Sequence, residues 1–285
     1  MDARLQLRVQ RYGWDRASEE YEPGWREQLA PAHAKLLEMA ALQPGERVIE
    51  TACGTGLVTI PAAEGVGPAG RVEATDLSRV MVDRLESRCA ELGLSDRVNA
   101  RRMGAEALDF GDAEFDAALC ALGLMYVPDP LAALSETHRV LAPGGRAVAA
   151  VWGERRNCGW AGIFPVVDAR VETEVCPLFF ALGSGGSLER HFERAGFGDI
   201  RAERISTTLE YPTERAALRA AFEGGPVAMA YGRFDDRTRT EAHRDYLETI
   251  ADFREGDGYR IPGEFVVVRG RRAGSSPSNG GEPPT

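Results

Sequence analysis

The sequence VIETACGTG, residues 48–56, carries the signals from which the architecture follows. It is typical of a buried strand that ends in a turn, where Gly54 and Gly56 allow the backbone to bend sharply and to approach a ligand closely. The helix that follows such a turn presents unpaired N–H groups and a partial positive charge. Asp76 ends the next predicted strand, where a carboxylate can accept hydrogen bonds from both hydroxyls of a ribose. Together these features predict a nucleoside-containing ligand at the switch point of a doubly wound sheet.

The residues around the turn indicate which nucleoside binds. The dinucleotide fingerprint G-x-G-x-x-G needs a third glycine at position 59, where this chain has Thr59. Glu50 lies in the last residues of the strand, where its charge would oppose a pyrophosphate and favour a cation. S-adenosylmethionine has an adenosine, a sulfonium and an ammonium group, and it has no phosphate. We therefore expect this cofactor, and a nicotinamide-dependent oxidoreductase is the alternative.

From Pro44 to Trp152 the sequence alternates short apolar segments with amphipathic ones, as expected of βαβ units and a parallel sheet. Ser78 is a good N-cap for one helix, and Asp129 followed by Pro130 begins another. The strand period is lost over residues 153–187, which we expect to form an insertion over the sheet. The predicted strands are 47–51, 71–76, 98–103, 116–122, 146–152, 200–209 and 258–269, with a short helix at 188–195 and further helices within 212–253.

Composition excludes several classes of function. The chain has 285 residues, a formal net charge of -10 and a pI near 5.1, with no basic patch, so nucleic acids and anionic membranes are not expected as partners. No window approaches the roughly 18 apolar residues of a membrane-spanning helix, and the charged start is unlike a signal peptide, so a cytoplasmic location is expected. The five cysteines and four histidines lack metal-ligand spacing, and no metal is expected.

Several segments together resemble a class I S-adenosylmethionine-dependent methyltransferase. They are ETACGTG at 50–56, VEATDLS at 72–78, GAEAL at 104–108 and FDAALCALGLMYVPDPLAALSETHRVLAPGGRAVAAVW at 115–152. In particular the chain is similar to the ubiquinone/menaquinone-biosynthesis-like small-molecule methyltransferases, which are common in bacterial secondary metabolism. The resemblance extends over residues 12–152, and beyond them only in the order of elements.

The resemblance implies a role for each residue at the cofactor. Glu50 would be the acid of the first motif, residues 52–56 would surround the methionine moiety, and Asp76 would hold the ribose. Other positions would contact the adenine or line the end of the fourth strand, and the N-terminal stretch resembles a lid helix from which Tyr12 or Tyr21 covers the methionine end. The cofactor-binding residues implied are Tyr21, Glu50, Ala52, Cys53, Gly54, Gly56, Asp76, Leu77, Gly104, Ala105, Glu106, Cys120 and Ala121.

The chain departs from the family pattern in two places. Many relatives have an aspartate at the position of Gly104, so we expect backbone groups to bind the adenine amino group here. Relatives often have paired histidines where this chain has Met125 and Tyr126, so no histidine base is implied there, and the catalytic residues are left unassigned. Candidate bases are Tyr126, His33 and His243, and the expected apolar walls of the substrate site are drawn from Trp152, Trp160, Phe164, Phe179, Phe180, Phe222, Met229 and Tyr231.

The expected fold is α/β: a Rossmann-like, doubly wound, seven-stranded mixed sheet whose last strand is antiparallel, with helical cap insertions. Its expected parts are a helical lid (1–43), an S-adenosylmethionine-binding core (44–152), a cap insertion (153–187), the rest of the core with a helical substrate cap (188–270) and a disordered tail (271–285). The expected function is methyl transfer to a small, apolar or aromatic metabolite by in-line displacement. A relative that binds the cofactor without transferring methyl is a further alternative, and the oligomeric state is left open.

Overall fold

The computed structural model describes residues 3–171 and 179–274. Its strands are β1 (Arg47–Thr51), β2 (Arg71–Asp76), β3 (Val98–Arg102), β4 (Phe115–Ala121), β5 (Leu141–Trp152), β6 (Gly198–Tyr211), β7 (Arg254–Glu255) and β8 (Gly258–Arg271). Its α-helices are α1 (Ala3–Ala40), α2 (Thr59–Val66), α3 (Arg79–Glu91), α4 (Pro130–Val140), α5 (Ile163–Asp168), α6 (Ser187–Arg194), α7 (Glu214–Phe222), α8 (Ala228–Tyr231) and α9 (Asp236–Thr249).

The strands form one mixed sheet in the order β3-β2-β1-β4-β5-β8-β6. The first five of these are parallel to one another, whereas β8 is antiparallel to both β5 and β6. The expected mixed α/β sheet with an antiparallel last strand is therefore confirmed, and the short β7 adds an eighth strand at the end of β8. The direction in which the strand order grows reverses between β1 and β4, which makes their carboxyl ends the switch point where ligands bind in such sheets.

Local signals account for the elements around this switch point. The Ser78 hydroxyl accepts the N–H of Met81 at 3.1 Å and so caps α3, as predicted. Asp129 caps α4 by accepting the N–H of Ala132 at 3.0 Å, with Pro130 at the first helical position. Most of β4 is buried, because helices cover both faces of a parallel sheet.

Several predicted boundaries differ from the structure, most of them by one or two residues, and two of the differences have a clear cause. β5 begins at Leu141 rather than Arg146, because Leu141 already pairs with Phe115 before a register shift. β8 continues to Arg271, and the backbone N–H of Arg272 still donates to Gly145 at 2.9 Å, so the first residues of the predicted tail are held against the sheet. The remainder of that tail, from residue 275, lies outside the described residues.

The segment predicted to be an insertion continues directly from β5. Its part before residue 172 contains two short 3-10 turns, one of which is Gly159–Gly162, followed by α5. Trp160 and Phe164 from this part are buried against the core. Residues 172–178 of the insertion, including Cys176, lie outside the described residues.

The long helix α1 packs across the sheet and against α7 and α8. Trp25 donates its indole N–H to the carbonyl of Ala220 at 3.1 Å, and Gln28 exchanges two hydrogen bonds with the backbone of Glu210. No helix within residues 3–171 and 179–274 combines the length and apolar character needed to cross a bilayer. Within the same residues, no group of three histidine, cysteine or acidic side chains is arranged to hold a metal ion.

Arg146 anchors the end of α1 to the sheet, and we predict that Arg146→Ala lowers the free energy of unfolding by about 3 kcal/mol. The buried guanidinium donates to both carboxylate oxygens of Glu46 at 2.7 Å and to the carbonyl of Ala41 at 3.1 Å. Removing it leaves Glu46 without its charge partner. Urea denaturation measures the loss. The control Arg47→Ala removes an ion pair of 3.8 Å on a half-exposed side chain and should cost under about 0.5 kcal/mol; equal losses in the two variants would contradict the anchor.

Candidate active site

The turn after β1 has an unusual backbone. Ala52, Gly54 and Gly56 all have positive φ angles, of 55°, 53° and 87°. A Cβ at Gly56 would overlap Leu85 of α3, so only glycine fits there. Ala52 and Leu122, the residue after β4, hold left-handed conformations that cost an ordinary side chain about 1–3 kcal/mol. Strain of this kind at two adjacent strand ends is typical of a functional site.

Asp76 joins the turn after β1 to the turn after β2. One carboxylate oxygen accepts the N–H of Gly54 at 2.9 Å, and the other accepts the N–H of Ser78 at 2.8 Å. The Ser78 hydroxyl in turn donates to Asp15 of α1 at 2.6 Å, so the lid helix is connected to the same group. Burial raises the pKa of Asp76 to about 6, although the hydrogen bonds from the two N–H groups favour the charged form and so lower the pKa.

Glu50 is not among the described residues that line the cavity at these strand ends. It is almost fully buried and accepts the hydroxyl of Thr59 at 2.5 Å. Burial, with a further contribution from the charge of Asp76, raises the pKa of Glu50 to about 8. Thr59, the residue that breaks the dinucleotide fingerprint, therefore binds the buried acid of the same motif.

An open cavity of about 750 Å³ lies at the carboxyl ends of β1, β2 and β4, under α1. We call it the cofactor cavity. Many of the residues predicted to bind the cofactor line it: Tyr21, Ala52, Gly54, Asp76, Leu77, Gly104, Ala105, Glu106 and Ala121. Four others, Glu50, Cys53, Gly56 and Cys120, are not among its lining residues, and the side chains of Glu50, Cys53 and Cys120 are buried. Burial raises the pKa of the thiols of Cys53 and Cys120, which makes them poor nucleophiles.

A second, smaller cavity of about 320 Å³ adjoins the first. The two share a boundary formed by Trp14, Tyr21, Leu122 and Tyr126. We call the second space the acceptor cavity. Its remaining described walls are Trp25, Leu29, Met125, Trp152, Trp160, Phe179, Gly224, Gly225 and Pro226.

Comparison with known proteins assigns this arrangement to a family. The chain is 31% identical over 210 residues to a demethylmenaquinone methyltransferase of Lysinibacillus sphaericus, a match that covers 73% of this chain and 84% of that one. The chain belongs to the S-adenosylmethionine-dependent methyltransferases. The family profile described as "Methyltransferase domain" matches residues 48–145, which contain the turn, Asp76 and β4.

Two further matches define how far this similarity extends. An uncharacterized protein of Mycobacterium tuberculosis is 36% identical over 126 residues, and the match spans only 44% of each chain. The crystal structure of the YcgJ protein of Bacillus subtilis superposes with a TM-score of 0.60 at 17% identity, and the match covers 86% of this chain and 99% of that one. That structural likeness shows that the two chains share a fold.

The cofactor of this family is S-adenosylmethionine, and the cofactor cavity of this methyltransferase fits it. The cavity combines backbone and carboxylate groups at Gly54 and Asp76 with apolar side chains at Leu77, Met81 and Met103. A Cβ at Gly104 would meet no protein atom within 4 Å, so the space beside this residue is open to a ligand.

Sequence reasoning missed several residues at the site. Leu7, Gln10 and Trp14 were missed, and they line the cofactor cavity from the same face of α1 as the predicted Tyr21. The predicted alternative Tyr12 is 49% exposed. The helical spacing of these residues would have shown that Trp14, and not Tyr12, lies on the face of α1 that meets the cavity. Gly123 was also missed. A Cβ there would overlap Ala52, so this glycine allows the turn after β4 to approach the turn after β1.

The fold brings only some of the predicted bases and substrate walls to the two cavities. Tyr126 lies at the boundary of the two cavities, whereas neither His33 nor His243 is among the residues that line them. Burial lowers the pKa of His33 to about 4, and His243 lies 2.9 Å from the hydroxyl of Tyr231 in a separate cluster with Phe222. Of the predicted walls, the acceptor cavity uses Trp152, Trp160 and Phe179; Phe164 and Phe180 pack behind them, and Phe222, Met229 and Tyr231 are not among its walls.

Replacing Glu50 should change how stability depends on pH. A glutamate with a pKa near 4.5 when unfolded and about 8 when folded keeps a proton in the folded state, so stability falls as pH rises through this window. We predict that Glu50→Gln matches the wild type near pH 5 and exceeds it by on the order of 3 kcal/mol near pH 8. Urea denaturation at several pH values of the cofactor-free protein measures this.

The exposed Glu91→Gln is the matched control for this series and should follow the wild type at every pH. Asp76 titrates in all three proteins, so the difference between wild type and Glu50→Gln isolates Glu50. A difference that stays constant from pH 5 to pH 8 would show that Glu50 is ionised in the folded protein.

Proposed function

We propose that this protein transfers the methyl group of S-adenosylmethionine to a small, neutral, apolar or aromatic acceptor. The observation that carries the proposal is the contact of two cavities at Trp14, Tyr21, Leu122 and Tyr126. One cavity combines glycine backbone with a carboxylate placed as in ribose-binding sites, and the other has aromatic walls. A bound donor in the first would therefore face a bound acceptor in the second.

Specific residues would hold the donor in the cofactor cavity. Asp76 has lone pairs left after accepting two N–H groups, and these would receive the ribose hydroxyls. Residues 104–106 and Leu77 would surround the adenine, while Gly54 and Tyr21 would adjoin the methionine end. Two buried carboxyl groups whose pKa values are raised, Glu50 and Asp76, lie beside or behind the cavity, so a cationic ligand gains by providing their counter-charge.

The chain itself contributes mainly positioning. S-adenosylmethionine, when bound, supplies a methyl group already activated by its sulfonium. Rigid walls that align the acceptor atom with this methyl can lower the barrier by up to about 7–11 kcal/mol. Burial and nearby carboxylates raise the pKa of Tyr21 well above its usual range, so this phenol stays protonated and acts as a donor or a wall. If the acceptor is itself a phenol, Tyr126 at the boundary is the base candidate within reach of both cavities.

Loss of the Asp76 carboxylate should weaken cofactor binding. We predict that Asp76→Ala lowers the affinity for S-adenosylhomocysteine by about 100-fold or more, because two charge-assisted hydrogen bonds to the ribose are lost. Isothermal titration calorimetry measures the dissociation constant. Asp83→Ala, on the exposed face of α3, is the control and should bind as the wild type does. An unchanged affinity in Asp76→Ala would refute the ribose assignment.

Filling the acceptor cavity should weaken the reaction with the acceptor and leave cofactor binding unchanged. A Cβ at Gly225 would make contacts no closer than 3.4 Å, so a larger side chain fits the backbone and takes up cavity space. We predict that Gly225→Leu lowers kcat/KM for the acceptor at least about tenfold while the dissociation constant of S-adenosylhomocysteine stays within about twofold. Equal weakening of both ligands would contradict two separate cavities.

Methyl transfer itself is tested with S-adenosylmethionine labelled in its methyl group and a panel of neutral phenols, naphthols and aromatic amines. The proposal expects label in at least one acceptor and stoichiometric formation of S-adenosylhomocysteine. Tight binding of S-adenosylmethionine with no label transferred across the panel would favour a protein that binds the cofactor without transferring methyl. Thermal stabilisation by NADH but not by S-adenosylhomocysteine would contradict both.

A further inference from the structure

Trp160 carries a buried donor that no group in residues 3–171 or 179–274 accepts. It lies in the turn Gly159–Gly162, is 2% exposed and forms part of the wall of the acceptor cavity. Its indole nitrogen is shielded from solvent and has no hydrogen-bond partner among the described residues. Buried indole N–H groups normally have a partner, because burying one without a hydrogen bond costs free energy.

The described side chains that contact the Trp160 ring offer no oxygen to its N–H. Its ring neighbours are aromatic, with centroids between 4.7 and 5.8 Å away: Trp25, Trp152, Phe164, Phe179 and Phe180. Trp25 is a useful contrast, because its own N–H is donated to the carbonyl of Ala220 at 3.1 Å. Two tryptophans in the wall of one cavity therefore differ: the N–H of Trp25 has a hydrogen-bond acceptor among the described residues, and that of Trp160 has none.

The lack of charged residues in the described wall of the acceptor cavity restricts the class of ligand that it can bind. Every described residue in its wall is uncharged, so a charged acceptor would find no counter-ion there. An aromatic cage can also bind a cation, but a buried N–H group presents positive charge and disfavours one. A neutral ligand that brings an oxygen to Trp160 satisfies both the apolar walls and the unpaired donor.

We infer that the methyl acceptor is a neutral ring compound carrying a carbonyl or ether oxygen, and that the indole N–H of Trp160 donates a hydrogen bond to that oxygen. This inference rests on the proposed function, in which the acceptor cavity holds the substrate. It makes Trp160 a specificity-determining residue. The oxygen bound by Trp160 is distinct from the atom that is methylated, which lies at the boundary with the cofactor cavity.

The N–H can be observed directly by NMR. The chain has four tryptophans, so a ¹⁵N-labelled sample gives four indole N–H signals, which single Trp→Phe variants assign. The protein is saturated with S-adenosylhomocysteine and titrated with 1-tetralone or with tetralin, which has the same rings but no oxygen. We expect the Trp160 signal to move downfield with 1-tetralone only, while that of Trp25, already hydrogen-bonded, keeps its hydrogen-bonded position with both.

Affinities provide the second measurement. The wild type should bind 1-tetralone about fivefold more tightly than tetralin, as expected for one net hydrogen bond. Trp160→Phe should abolish this preference. Trp152→Phe changes a neighbouring wall of the same cavity and is the matched control, in which the preference should persist. Thermal melting confirms that each variant is folded.

The outcomes separate this inference from the proposed function. If both probes bind with equal affinity and the Trp160 signal does not respond to the oxygen, the hydrogen bond is refuted while the acceptor cavity stands. If the preference for 1-tetralone survives in Trp160→Phe, another group recognises the oxygen and the inference is likewise wrong. If neither probe binds in the presence of S-adenosylhomocysteine, the acceptor cavity itself is contradicted, and the inference fails with it.

Discussion

The hydrogen bonds of the Asp76 carboxylate hold the active site together. They link the turn after β1, through Gly54, to the start of α3, through Ser78. The hydroxyl of Ser78 extends the link to Asp15, so the position of α1 over the strand ends depends on the same group. A carboxylate fixed in this way is already oriented before any ligand arrives, and preorganisation of this kind reduces the cost of binding.

The two cavities differ in the charge of their described walls, which would suit them to different ligands. Glu50 and Asp76 concentrate acidic groups at the cofactor end, and burial raises the pKa of each. The acceptor cavity has aromatic and aliphatic walls without charge in the described residues. A cationic donor and a neutral acceptor, as we propose them, would each suit one side of the boundary. Such a division would place the two reactants next to each other and keep each from occupying the wrong cavity.

Much of the fold could be predicted from the sequence because its signals are local. The strand that ends at Thr51, the cap at Ser78 and the start of α4 at Asp129 each depend on neighbouring residues. The part of the site formed by these turns followed from the same signals and from the family resemblance. Glu50 shows the limit: sequence places it near the ligand, but the inward direction of its side chain depends on Thr59 and on packing. Which face of α1 meets the cavities, and hence the role of Trp14, depends on docking between distant parts of the chain.

A crystal structure of the protein with S-adenosylhomocysteine is the most direct test of this description. We expect the ribose hydroxyls about 3 Å from the Asp76 carboxylate oxygens and the sulfur directed toward the boundary at Tyr21 and Tyr126. Open space beside the sulfur should lead to Trp160. A ligand bound elsewhere, or one whose sulfur faces away from the aromatic walls, would contradict the assignment of both cavities.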